Sequence, residues 1–247
     1  MNKNNKEKAI AIKNELCAYN PSLAGLEFIG GGNNGYAYQT GGLIVKVTGD
    51  IQEFTVAYAL TQYNEQYPQG LISSCIASPH LVFSFYSKSQ NRYYGVIFME
   101  KLEMSSPLQL YIKLAVKDFI HVWISEFFNK NGMSGDYWMI CDIYREGSKD
   151  VIQKTRNMLE RFLAIQHEEE YSTLEYKREI RVKFSLFFFD FISKLYKEIL
   201  SIYPNARVDL NEGNFGFDSN KHLKAFDFQV YDEAQCHKDI FSILRKF

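Results

Sequence analysis

The chain has 247 residues, a formal net charge of −1, 46% apolar residues and 16% aromatics. So much apolar content with so little charge excludes a disordered polypeptide. Near neutrality excludes the basic field with which proteins hold nucleic acid or anionic membrane. The length suits one large domain or two small lobes, with enough chain for a substantial core.

Cys17, Cys75, Cys141 and Cys236 form no CxxC pair. They are therefore expected to be unpaired thiols of a reducing compartment, not zinc or redox ligands. The most apolar run, residues 184–189, is closed by Asp190 and falls far short of the ~20 residues of a membrane span. The apolar stretch behind the basic N-terminus is too short for a signal-peptide core. The expectation is a soluble protein of the cytoplasm, with no membrane or nucleic-acid partner.

In chain order, residues 9–17 predict a short helix, and residues 26–29 a strand that enters the glycines at 30–35. Strands over 36–40 and 43–48 are joined by the two-residue turn Gly41-Gly42. Asp50 predicts the cap of a helix over 51–67, with Glu53 at capping-box spacing. Residues 81–86 and 94–99 predict two further strands. The pattern then turns helical, over 108–128 and 150–167, with a glycine-containing loop at 131–135 between them. The clearest helix spans 177–202, where Phe184, Phe187, Phe188, Phe191, Ile192, Leu195, Ile199 and Ile202 line one face; Pro204 ends it. Short strands at 214–217 and 223–226, a turn at 218–221 and a helix over 232–246 complete the chain. The expected class is α+β, β-rich over 1–103 and helical over 104–247.

Three features could carry chemistry. Gly30, Gly32 and Gly35 have GxGxxG spacing. A dinucleotide site would open from such glycines into a helix. Here they open into a strand, a turn and a strand, the hairpin form that covers nucleotide phosphates. A ligand-free glycine turn fits the same residues. Lys46 lies inside the apolar strand Ile44-Val-Lys-Val47, where an ammonium needs an anion: a phosphate, or a carboxylate of the next helix, Glu53 or Glu65. Glu53 is preferred because the connection is short. Finally, Asp209 and Asn214 are five positions apart, and Asp227 follows thirteen later. A carboxylate can take a hydroxyl proton, while an amide oxygen and a second carboxylate suit magnesium with phosphate.

Together these pieces resemble the protein-kinase-like superfamily. The glycine loop, the strand lysine, a hinge-like Met99-Glu100-Lys101-Leu102, D-L-x-x-x-N at 209–214 and D-F-x at 227–229 occur in that family's order. The resemblance implies a bilobal fold that uses ATP and Mg2+. Gly30, Gly32 and Gly35 would cover the phosphates, and Lys46, steadied by Glu53, would contact them. Met99 and the backbone of Glu100 to Leu102 would meet the adenine. Asp209 would be the catalytic base, and Asn214 and Asp227 would hold the metal.

The chain also departs from the family. Arg207 and Val208 replace the family's histidine and arginine, Gln229 replaces the glycine of D-F-G, and only twenty residues follow Asp227. The long stretch between hinge and catalytic loop is similar to that of aminoglycoside and choline kinases. The short C-terminal end looks like compact kinases of phages and secreted bacterial effectors, which would place it in a host cytosol. The resemblance implies a Ser/Thr protein kinase acting on a hydroxyl. The alternatives are a pseudokinase that works by contact, or a small-molecule kinase whose acidic pocket would use Asp118, Glu126, Asp136 and Asp142.

Overall fold

The structure is a computed structural model that describes residues 3–32, 35–71, 74–104, 108–122, 139–147, 149–169 and 175–244. The expected helix end at 123–128, the loop at 131–135, Glu126 and Asp136 lie outside the described residues.

The first part is a five-stranded antiparallel sheet in the order β1-β2-β3-β5-β4, from β1 (Glu27–Gly31), β2 (Gly35–Thr40), β3 (Leu43–Thr48), β4 (Pro79–Ser87) and β5 (Arg92–Glu100). Gly41, with φ +54°, takes the first turn position between β2 and β3, a conformation that costs glycine nothing. Helix α1 (Lys3–Tyr19) is longer than the expected 9–17 and covers one face of the sheet. Ala9, Ile12 and Leu16 pack there with Tyr36, Tyr38, Val45, Val47 and Val96. The Tyr38 hydroxyl donates to the Ala9 carbonyl at 2.6 Å. Helix α2 (Ile51–Gln66) lies on the opposite face, with Phe54 and Ala57 against Val82 and Ile97. Gly95 makes room for it: a Cβ there would sit 2.3 Å from the Phe54 ring.

The second part is mostly helical: α3 (Leu108–His121), α4 (Met139–Glu146), α5 (Lys149–Glu169) and α6 (Glu175–Ile202). Short α4 was not expected. Its eight residues span barely two turns, too few for a readable period. The predicted stripe of α6 is buried through Phe188, Phe191, Ile192, Leu195 and Ile199, against Phe119 of α3. Phe184 and Ile202 are only partly buried, and Phe187 is half exposed on the outer side.

Two small antiparallel ribbons sit between these parts. β6 (Ala206–Val208) pairs with β9 (Phe228–Val230), and β7 (Phe215–Phe217) pairs with β8 (Leu223–Ala225). The β7–β8 hairpin matches expectation, whereas β6 and β9, three residues each, carry no legible alternation. Helix α7 (Glu233–Leu244) closes the chain and packs on α2. Among the described residues no helix is long and apolar enough to cross a membrane. Cys17, Cys75 and Cys236 are free thiols.

Because Ile12 is fully buried between α1 and the sheet, Ile12→Ala is expected to cost about 2–5 kcal/mol of stability. Urea denaturation should show it, while Ile10→Ala, at a half-exposed position of the same helix, should leave the midpoint almost unchanged.

Candidate functional site

Strand alternation places Lys46. Val45 and Val47 point under α1, so Lys46 between them points to the α2 face, opposite Ile97. Its ammonium is held between two carboxylates, Glu53 of α2 and Asp227 just before β9, the latter at 2.8 Å.

Glu53 is available because the helix start is satisfied elsewhere. Asp50 caps α2 by accepting from the amides of Gln52 (2.9 Å) and Glu53 (3.4 Å). The Asp50 amide, which a full capping box would give to Glu53, donates instead to Thr48 Oγ1 at 3.0 Å. Glu65, the rival partner, lies at the far end of the helix and accepts from Gln62 on the surface.

The second half of the site is built by the ribbons. Val208 and Phe228 form the last rung of β6–β9, so Asp209, just after one, and Asp227, just before the other, emerge from the same end. Asn211 caps a single 3₁₀ turn over Glu212–Asn214, accepting from the Gly213 amide at 2.9 Å. That turn aims Asn214 back at Asp209, and the Asn214 amide nitrogen donates to Asp209 Oδ2 at 3.0 Å. Its amide oxygen is thus the end suited to a cation. The Phe226 amide donates to the Asn214 carbonyl at 3.0 Å, tying the two loops together. Asp227 has φ +64°, a left-handed conformation that Asp and Asn tolerate better than most side chains.

One ammonium thus pairs with two carboxylates, Glu53 and Asp227, and a third, Asp209, lies within reach of its charge. Burial pushes the Glu53 carboxyl up to about 7, against the pull of Lys46 and with the help of Asp227. Burial also raises Asp209 above the usual carboxylate range, although the bond from Asn214 opposes it. For Lys46, burial favours the neutral amine, but Glu53 and Asp227 outweigh it and hold the ammonium above its ordinary value. The donors are hard oxygens carrying surplus negative charge, which fits magnesium. No group of three or more His, Cys, Asp or Glu side chains among the described residues could hold a metal ion by itself. Asp227 and the Asn214 amide would need oxygens from a ligand or water to complete a shell.

The glycines connect two antiparallel strands, β1 and β2, and the Gly32 amide closes the loop onto the Gly35 carbonyl at 3.0 Å. They are not equivalent. A Cβ on Gly35 would lie 2.3 Å from the Val47 carbonyl oxygen, so this glycine is required by the sheet itself. Gly30 and Gly32 face open space, where a ligand could approach the backbone.

At the end of β5, Met99 lines a cleft with Glu53, Ala57, Ile97, Phe226 and Asp227. The Glu100 amide is committed to the Ser78 carbonyl at 3.1 Å, and Leu102 is buried against Gly216. Of the expected site residues, Glu53, Met99 and Asp227 line this cleft, Lys46 bonds to two of them, and Asp209 and Asn214 bond to each other.

Sequence reasoning missed two pairings. Arg207 donates across the ribbon to Gln229 Oε1 at 2.7 Å, so two departures from the family pattern bond to each other. Lys224, inside Leu223-Lys-Ala-Phe226, is fully buried and reaches Glu100. The signal was the one that marked Lys46, a lysine in an apolar strand. Of the acidic residues considered for a cationic substrate, Asp118 is spent: it is buried, paired with Arg181 at 2.7 Å and accepts from Ser185 at 2.9 Å.

The chain matches no protein-family model and no curated protein.

The surplus charge has a measurable consequence. Glu53 binds a proton more tightly in the folded protein than in the unfolded chain, so its contribution to stability is greatest at low pH and fades as pH rises from about 4.5 to about 7. Melting temperatures of the ligand-free protein across that window should fall more steeply for wild type than for Glu53→Gln. Equal slopes would show that Glu53 does not carry the excess charge.

Proposed function

We propose that the protein is an ATP- and Mg2+-dependent phosphotransferase of bilobal, protein-kinase-like architecture, acting on a hydroxyl of a Ser/Thr protein substrate. The observation that supports it best is Lys46 held jointly by Glu53 and Asp227, beside the Asp209–Asn214 pair.

In this reading, Lys46 neutralises the inner phosphates, and Gly30 and Gly32 let the loop backbone approach them. Asn214 Oδ1 and Asp227 hold the metal, which when bound neutralises charge on the phosphate oxygens. Asp209 orients the acceptor hydroxyl and takes its proton as the new O–P bond forms and the bond to the ADP leaving group breaks. Since the Glu100 amide is already used, the base would be met by the residues after it, around Lys101 and Leu102. The commitment of Asp118 to Arg181 weighs against the small-molecule alternative with an acidic pocket. The pseudokinase alternative is favoured by one observation: the Arg207–Gln229 bond makes β9 an ordinary strand where the family has a glycine.

Purified protein is expected to gain thermal stability with Mg·ATP and to transfer labelled γ-phosphate to itself or to lysate proteins. Asp209→Asn should lower transfer by about 10²–10⁴-fold while the thermal shift persists. Asp227→Asn, which suits the left-handed backbone, should remove the Mg2+ dependence of the shift. A shift without transfer would establish the binding module instead, and neither shift nor transfer would end the nucleotide reading.

A further inference from the structure

We propose, resting on that reading, that Lys224 is a positioning residue that fixes the strand end meeting the nucleobase at a set distance from the metal-binding carboxylate. Lys224 is only 1% exposed. A lysine is buried at great cost unless anions and acceptors surround it. Its Nζ donates to the Leu71 carbonyl at 3.0 Å and lies 3.4 Å from Glu100 Oε1, with Asp218 Oδ2 at 4.0 Å.

Glu100 is also gripped twice by Ser78. Its Oε1 accepts from the Ser78 amide at 2.7 Å, and its own amide donates to the Ser78 carbonyl. The side chain of the last β5 residue is therefore committed to Ser78 and Lys224 and serves as a fastening for the backbone that follows.

The segment after Lys224 is fastened as firmly. The Ala225 amide donates to the Cys75 carbonyl, and the Ala225 carbonyl accepts from Ala77, each at 2.8 Å. Two residues later comes Asp227, bonded to Lys46. Residues 224–227 thus connect the end of β5 to the centre of charge, through the Lys224 and Asp227 side chains and the backbone bonds of Ala225. A methionine of similar length would fill the space at lower desolvation cost but could not grip Glu100.

The test compares Mg·ATP with Mg·tripolyphosphate, which shares the phosphates and lacks the base, binding to full-length wild type, Lys224→Met and the double variant Lys224→Met/Glu100→Gln. Lys224→Met is expected to weaken Mg·ATP about tenfold and leave Mg·tripolyphosphate unchanged. The double variant leaves no unpaired buried charge from this pair, so it should recover melting temperature without recovering ATP affinity; it also carries the comparison should the single variant not fold. Equal losses for both ligands, no loss for either, or ATP affinity that returns with stability in the double variant would overturn the role of Lys224. Wild type that binds neither ligand would instead overturn the nucleotide reading on which it rests.

Discussion

A single ammonium holds three structural elements of this chain together. Lys46 comes from the sheet, Glu53 from the helix across it, and Asp227 from a loop more than 170 positions further along the chain. An exposed ion pair would contribute little. Here, however, Glu53 is nearly fully buried and Lys46 mostly so, and the bond to Asp227 ties the loop before β9 to the strand and helix that carry them. The arrangement is also unbalanced, with more carboxylate than ammonium. A proton on Glu53 relieves it in part.

The surrounding fold serves to make that meeting possible. The sheet presents Lys46 toward α2 because Val45 and Val47 are buried under α1. Close approaches at Gly35, Gly95 and Gly216 bring backbone to within contact distances that a Cβ would prevent. On the other side, the hydrophobic core of α3 and α6 includes Phe215 of β7, which seats the ribbons. The ribbons then need only three residues per strand, since packing beneath them supplies the stability that so few ladder bonds cannot.

Much of this was legible residue by residue. Lys46 declared itself because an ammonium within Ile-Val-Lys-Val has no reason to be there without an anion. Lys224 carries the same signal and was missed, because its strand is shorter and its partner, Glu100, lies 124 positions earlier. Asp50 was readable as a cap, yet the capping-box role of Glu53 was not realised, since Thr48 satisfied the amide that Glu53 would have taken. Arg207 and Gln229 read as two separate departures until the register of β6 and β9 placed them opposite each other.

What the sequence determined by itself was local: the sheet strands, the long helices with their apolar stripes, the glycine hairpin, and an inventory of one strand lysine, three carboxylates and an asparagine. These are encoded by periodicity and by neighbours a few positions apart. Only the tertiary structure decided that Glu53 and not Glu65 meets Lys46, that Asp209 and Asp227 leave the same end of one ribbon, and that Asp118 is consumed by Arg181. The last two of those outcomes depend on closing a loop between separated segments, and the free energy that closes it comes from packing shared over the whole core.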